Sequence, residues 1–205
     1  MNPQPLLVGT DSPALLTDDR LDTVMLLLEG LGNLDSSQAS VRDSMLAFAA
    51  QHPDALHRSC QEGHFTGSAM VVEQGTGRVL LLFHTKLRKW LQPGGHTDGE
   101  AVMASTALRE ATEETGISGL RVFSDPIDLD IHEVRPPSEP AHLHHDIRFL
   151  VLAPQGSLPV GNHESESLRW FTPDEAAELE VDESVLRLIR SGLAVARGLP
   201  DAELG

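Results

Sequence analysis

Residues 94–117 read Gly94-Gly95-His96-Thr97-Asp98-Gly99-Glu100-Ala101-Val102-Met103-Ala104-Ser105-Thr106-Ala107-Leu108-Arg109-Glu110-Ala111-Thr112-Glu113-Glu114-Thr115-Gly116-Ile117. Two glycines open the stretch, and Gly116 closes a predicted helix from Glu100 to Thr115. Each helical residue advances by about 100°. Glu113 and Glu114, three and four places after Glu110, therefore share a face with it. Ala104, Ala107, Leu108 and Ala111 fall on a mostly opposite, apolar face. Carboxylates this close raise one another's pKa and work against folding. A hard, oxygen-preferring cation such as Mg²⁺ or Mn²⁺ resolves the conflict by bridging them. A Gly94-Gly95 turn would let main-chain carbonyls reach the same place. The plainer alternative is a solvated acidic helix face, ordinary in an acidic chain. The adjacent Arg109, the paired glycines before the helix and the glycine after it favour the chemical reading.

Working outward, Gly67–Glu73 and Arg78–His84 are β-rich runs flanking Gln74-Gly75-Thr76-Gly77, which predicts a hairpin. Lys89–Gln92 reads as a further short strand. Downstream, Leu120–Phe123, Ile127–Val134, Asp146–Leu152 and Leu168–Phe171 are strand-like. Arg135–His142, with three prolines, reads as a loop. Thr172 caps a helix that begins at Pro173, and a last helix spans Glu183–Arg197. Upstream, Asp18–Glu29 reads as a helix capped by Asp18 or Asp19, with Leu21, Val24, Met25 and Leu28 on one face. A second helix starts at a Ser36/Ser37 cap and runs to about Ala50, carrying Val41, Met45, Leu46, Phe48 and Ala49. The order of elements predicts an α+β fold: a helical N-terminal extension over 1–60, then a domain over 61–205 with a mixed sheet. The apolar stripes of the extension must be buried, against this chain or a second copy. It contains no catalytic cluster. No P-loop or dinucleotide-binding pattern occurs.

The 205 residues carry 15 Lys+Arg against 31 Asp+Glu, a formal charge of −16. That field repels phosphate backbones, so nucleic acid is not an expected partner. A small anionic substrate would need a local basic patch or a metal ion. Lys86, Arg88 and Lys89 supply such a patch, or else a solvated strand edge. The single cysteine, Cys60, allows no internal disulfide and fits a reducing compartment. Met1–Pro13 does not read as a signal peptide, and no run approaches the ~18 apolar residues of a membrane span. A cytoplasmic protein that does not bind membranes is expected. Phe65, Trp90 and Phe149 suit a core or a base-stacking role. His142, His144 and His145 lack the spacing of familiar zinc ligand sets and read as a histidine-rich loop near the cleft.

The segment 95–117 resembles the signature box of the Nudix hydrolases, G-x5-E-x7-R-E-U-x-E-E-x-G-U with U aliphatic. Gly95, Arg109, Glu110, Glu113, Glu114, Gly116 and Ile117 stand at the required spacing, with Ala111 in the first U position. Trp90-Leu91-Gln92-Pro93 before the box and Glu164 through Trp170-Phe171-Thr172 after it are also similar, so the resemblance covers roughly 64–180. It implies an α/β/α sandwich with a mixed central sheet. It further implies metal-dependent attack of water on a phosphorus of a nucleoside diphosphate derivative, breaking the diphosphate linkage.

By the same resemblance Mg²⁺, with Mn²⁺ as substitute, would be held by Glu110, Glu113, Glu114 and the carbonyl of Gly95. Arg109 would orient a glutamate. Glu164 matches an additional acidic ligand of some members, with Glu166 its neighbour. The expected catalytic residues are Arg109, Glu113, Glu114 and Glu164; Lys86, Arg88 and His96 are expected to meet substrate. Many members form homodimers. One position departs: the first glutamate of the box is Ala101 here. Glu100, one residue early, or Asp98 is expected to compensate in part. A module of this fold that binds a nucleotide metabolite without efficient turnover is the alternative, but such modules typically lose the Arg-Glu…Glu-Glu core kept here. The related isopentenyl diphosphate isomerases need a cysteine in the core, and Cys60 precedes it.

Overall fold

Long strands with apolar residues on both faces demand a layer on each side, and the chain supplies both. The computed structural model describes residues 7–136, 140–161 and 165–199. In chain order these form β1 (Leu7–Val8), a 3-10 turn (Pro13–Leu15), α1 (Leu21–Gly30), α2 (Ser36–Gln51), β2 (Gly63–Glu73), β3 (Val79–His84), β4 (Trp90–Leu91) and β5 (Gly94–His96). Then come α3 (Met103–Thr115), β6 (Arg121–Val134), β7 (His142–Ala153), β8 (Ser165–Phe171), α4 (Pro173–Ala177) and α5 (Glu183–Gly198). The strands make one mixed sheet in the order β1-β6-β7-β2-β3-β4, with β5 added to β2 and β8 to β3. β2 and β7 run parallel at its centre, and the other pairings are antiparallel.

Alternation along the strands separates two cores. Phe65, Ala69 and Val71 of β2 and Ile147, Phe149 and Val151 of β7 face α3, α1 and α2. Met70 and Val72, with Leu150 and Leu152, face α4 and α5. Phe65 and Phe149 are core residues, fully buried, each contributing about 1.5–3 kcal/mol of burial. Trp90 packs edge-on against Phe171 at 5.0 Å and Phe83 at 5.3 Å. The result is an α/β/α sandwich of the α+β class. Among the described residues no helix is long and apolar enough to cross a membrane.

The helical extension packs into the first of these cores. Val24, Leu28, Met45 and Ala49 join the residues of α3 there. The extension also holds the loop that leads into α3. The N–H of Ala101 donates to the carbonyl of Asp18 at 2.6 Å, and the N–H of Asp18 donates to Glu100 Oε1 at 3.1 Å. The carbonyl of Leu56 accepts from Gly99 N–H (3.0 Å) and Thr97 Oγ1 (2.7 Å). Arg58 pairs with Asp98.

Several local expectations change. Gly94-Gly95 is not a turn; it is extended in β5 and registers with Ser68 and Gly67 of β2. Leu120–Phe123 and Ile127–Val134 merge into the single strand β6. Its register against β7 shifts on either side of Pro126, because proline offers no N–H to the ladder. The histidine-rich segment is not a loop, since β7 begins at His142. The cap of α2 is Asp35, whose Oδ1 accepts from Ser37 N–H at 2.8 Å and Gln38 N–H at 2.9 Å. Gly116 ends α3 in the left-handed conformation, φ 64°, and Thr172 with Glu175 forms a full capping box at α4.

Candidate active site

α3 lies on β2 through small residues. Ala104, Ala107 and Ala111 are buried, and a Cβ at Gly67 would meet Thr106 Cγ2 at 2.9 Å. This close approach sets the acidic face of α3 against β5. A Cβ added at Gly95 would lie 2.6 Å from Glu110 Cδ and 2.7 Å from each of its carboxylate oxygens. Glu110 therefore rests directly on the main chain of Gly95. Glu114 is 6% exposed and its Oε2 accepts from Gly94 N–H at 2.9 Å. Two carboxylates one helical turn apart thus grip two consecutive residues of one strand.

Arg109 is the clamp. Its Nη1 lies 2.7 Å from Glu110 Oε1 and 3.5 Å from Glu113 Oε2, while Nη2 donates to the carbonyl of His96 at 2.8 Å. Glu113 belongs to the same helix and is exposed. Where the box departs from its usual form, Ala101 is 1% exposed. Glu100 uses Oε1 to accept from Asp18 and Val102 N–H groups. Asp98 is held by Arg58, whose hydrogen bond also keeps its carboxyl below the ordinary range. Both proposed substitutes are thus engaged in the loop before α3.

The remaining expected residues are dispersed. Lys86 and Arg88 are exposed on the turn between β3 and β4, with the Arg88 guanidinium 4.8 Å from the Phe83 ring centroid. Lys89 pairs with Asp182. Glu164 lies outside the described residues. His96 places its carbonyl toward Arg109. Its neighbour Gly95 faces Glu110, so alternation turns the His96 side chain to the opposite face of the sheet.

That opposite face gathers His142 and His144 with His64 and His96, which the sequence reading did not group with them; His145, grouped with them from the sequence, instead stacks on Phe48 at 3.9 Å on the α3 side. The ring of His96 stands 4.9 Å from that of His64 and 5.2 Å from that of His144, centroid to centroid. His142 lies 4.9 Å from His64 and 5.3 Å from His144. Burial, helped by the neighbouring histidines and, at His96, by Arg58, pushes His96 down to about 4 and His144 down to about 2, so both rings are neutral at pH 7. Beside them Arg148 is buried among Asp146 (2.7 Å), Asp128 (3.1 Å) and Asp130 (3.1 Å), with Arg187 of α5 on the last two. Burial raises the Asp128 carboxyl even so. The legible signal was period-two alternation: Asp128, Asp130, His132 on β6 and His142, His144, Asp146, Arg148 on β7. In a strand, such spacing places every member on one face.

The profile of the NUDIX domain matches residues 63–190, which is more than half of the chain. The chain belongs to the NUDIX family. It is 31% identical over 145 residues to a Streptomyces rubellomurinus protein named CMP-5'-(N-acetyl-N-hydroxy-3-aminopropyl)phosphonate hydrolase. That match covers 67% of this chain and 63% of the relative, so the chain spans a little under two thirds of the relative's length. Among solved structures, a C. elegans Ap4A hydrolase binary complex superposes with a TM-score of 0.54 at 18% identity, covering 66% of this chain and 98% of the other. The E. coli dihydroneopterin triphosphate pyrophosphohydrolase gives a TM-score of 0.52 at 21% identity, covering 64% and 95%. At these identities the likeness concerns the fold. It confirms the mixed-sheet sandwich expected from the box.

Proposed function

We propose that this NUDIX protein hydrolyses the diphosphate linkage of a nucleoside diphosphate derivative, by attack of water on phosphorus, with Mg²⁺ as cofactor and Mn²⁺ as substitute. The observation that carries the reading is the seating of Glu110 against the main chain of Gly95, with Glu114 one turn along on Gly94 N–H. The donor set fits a hard cation: it consists of carboxylate oxygens and the Gly95 carbonyl, in a place where a Cβ would not fit. Glu110, Glu113, Glu114 and the Gly95 carbonyl would hold the ion. Once bound, it would offset the charge of the diphosphate and make phosphorus more electrophilic.

The chain's own residues do the rest in this reading. Arg109 spans Glu110 and the His96 carbonyl, and so acts as a positioning residue. Glu113, exposed on the same face, is the acid open to an incoming water. Glu164 is a further acid of the proposed set. Lys86 and Arg88 would meet phosphate, countering the −16 field of the chain. His96 would contribute through its carbonyl, which holds Arg109, since its side chain lies on the opposite face of the sheet. The name of the Streptomyces relative supports a nucleotide-linked substrate. A second reading, binding without efficient turnover, draws on buried Ala101 at the position of the missing glutamate.

A panel of ADP-ribose, nucleotide sugars, dinucleoside polyphosphates, coenzyme A and cytidine-diphosphate compounds, incubated with Mg²⁺, decides between them. Release of a nucleoside monophosphate that EDTA abolishes is the expected result. Turnover that survives exhaustive chelation overturns the proposal. Saturable binding without product selects the second reading.

A further inference from the structure

β2 and β7 run parallel with His64 registered opposite His144, and His142 precedes His144 by one pleat. All three side chains therefore share the sheet face that looks away from α3. Each offers a ring nitrogen within 4.8 Å of the others. Three nitrogens around one tetrahedral ion, each at about 2.0–2.1 Å from it, lie roughly 3.4 Å apart. Binding an ion would require the rings to draw together by that difference.

Two further observations point to a ligand. His144 Nε2 is buried and has no hydrogen-bond partner among the described residues, an unfavourable state for a polar atom unless something coordinates it. His142 Nδ1 lies 2.9 Å from the carbonyl of Pro140. A carbonyl can only accept, so Nδ1 carries the proton and Nε2 keeps its lone pair. Metal-bound histidines are oriented in this way. A cleft of about 180 Å³, lined by Arg58, Cys60, Pro140 and His142, gives an approach from outside.

From these we infer that His64, His142 and His144 form a site for one transition-metal ion, with Zn²⁺ the best chemical match, on the face of the sheet opposite the carboxylate helix. Neutral imidazole nitrogens select zinc and its neighbours in the transition series, whereas the oxygen donors of α3 select magnesium or manganese. The chain would thus hold two sites that do not compete for the same ion. His96, beside His64 and His144, stands where a fourth donor would complete a tetrahedron. Its carbonyl is already tied to Arg109, so an ion on this face would also stiffen β5 beneath Glu110.

The test uses the full chain carrying Glu110→Gln and Glu114→Gln, which silences the carboxylate face. Metal-stripped protein is titrated with Zn²⁺ by calorimetry, and the zinc-loaded form is measured by X-ray absorption. One equivalent of Zn²⁺ should bind, with imidazole scattering and nitrogen neighbours at about 2.0–2.1 Å. Adding His142→Gln or His144→Gln should weaken binding about 100-fold or more. Absence of saturable binding, or an oxygen-only shell around zinc, overturns the inference. So does a histidine variant that unfolds at the parent's temperature and binds zinc as tightly. The absorption measurement needs no histidine variant, so it decides the matter even if those variants fail to fold.

Discussion

Gly95→Ala tests the carboxylate seat with the smallest possible perturbation. The new Cβ would sit 2.6 Å from Glu110 Cδ, about 0.8 Å inside ordinary van der Waals contact. The obstructing group is the end of a long side chain, so Glu110 can swing away. An off-rotamer adjustment of this kind costs roughly 0.5–1.5 kcal/mol, and the protein should remain folded. The carboxylate, however, would be displaced by close to 1 Å, while metal sites tolerate about 0.2 Å. A misplacement of about 1 Å at a reacting centre lowers the rate by on the order of 10²-fold, or about 2.7 kcal/mol of transition-state stabilisation. Mn²⁺ binding followed by electron paramagnetic resonance should weaken in parallel. The assay pairs urea unfolding with Mn²⁺ titration and turnover of the best compound in the panel. A variant that is as stable as wild type and binds Mn²⁺ with unchanged affinity would refute the idea that Glu110 on Gly95 is the seat of the metal.

Three other expectations follow from the same geometry. Glu114→Gln should lower kcat by on the order of 10²-fold with little change in KM; a variant within threefold of wild type would leave the acidic face without a chemical role. The hydrogen bond from Arg78, with those from Thr76 and Gly156, holds buried Glu73 down to about 2. Its folded pKa lies below the unfolded one, so its contribution is complete above about pH 4.5 and fades as the pH falls toward 2. That contribution is roughly 3 kcal/mol, and the stability gap between wild type and Glu73→Gln should be wide at pH 7 and close at pH 2. Deleting residues 1–55 should sharply lower the unfolding temperature and also weaken Mn²⁺ binding. The extension contains no catalytic cluster, but Asp18 is hydrogen-bonded to the loop before α3; a truncated chain with wild-type Mn²⁺ affinity would show that this support does not reach the site.

The helix, its three acids and its glycine stop were legible because spacing on a helix follows from geometry alone. The apolar stripes were legible for the same reason, and the hairpin, the closing strand and the α4 cap from β-rich runs and from turn and capping residues. Gly94-Gly95 misled because glycine usually marks a turn, whereas here it marks crowding: Ser68 and Glu110 occupy the space a Cβ would need. The start of α3 predicted at Glu100 is too early: Val102 is the residue before the helix, with φ −81° and ψ 87° outside the helical region, and the preceding loop is held by Asp18 and Glu100. The gap predicted between Leu120–Phe123 and Ile127–Val134 is instead a shift of register on either side of Pro126 within one strand. The histidine cluster was hidden for a different reason. It joins residues 64, 96, 142 and 144, and their proximity depends on strand pairing that no local pattern encodes.

The parallel pairing of β2 with β7 also governs how the protein can be made. His64 meets His144 across the sheet, a separation of 80 residues, and Thr66 meets Asp146 over the same distance. The strand at the middle of the molecule leaves the ribosome early and has no partner on that side until β7 follows. At about 5–20 residues per second the wait is roughly 4–16 s. During it, a run whose residues all end up buried has an open edge, the kind that recruits other chains. Expression temperature and access to chaperones during synthesis should therefore govern the yield of soluble protein more than the stability of the finished fold does.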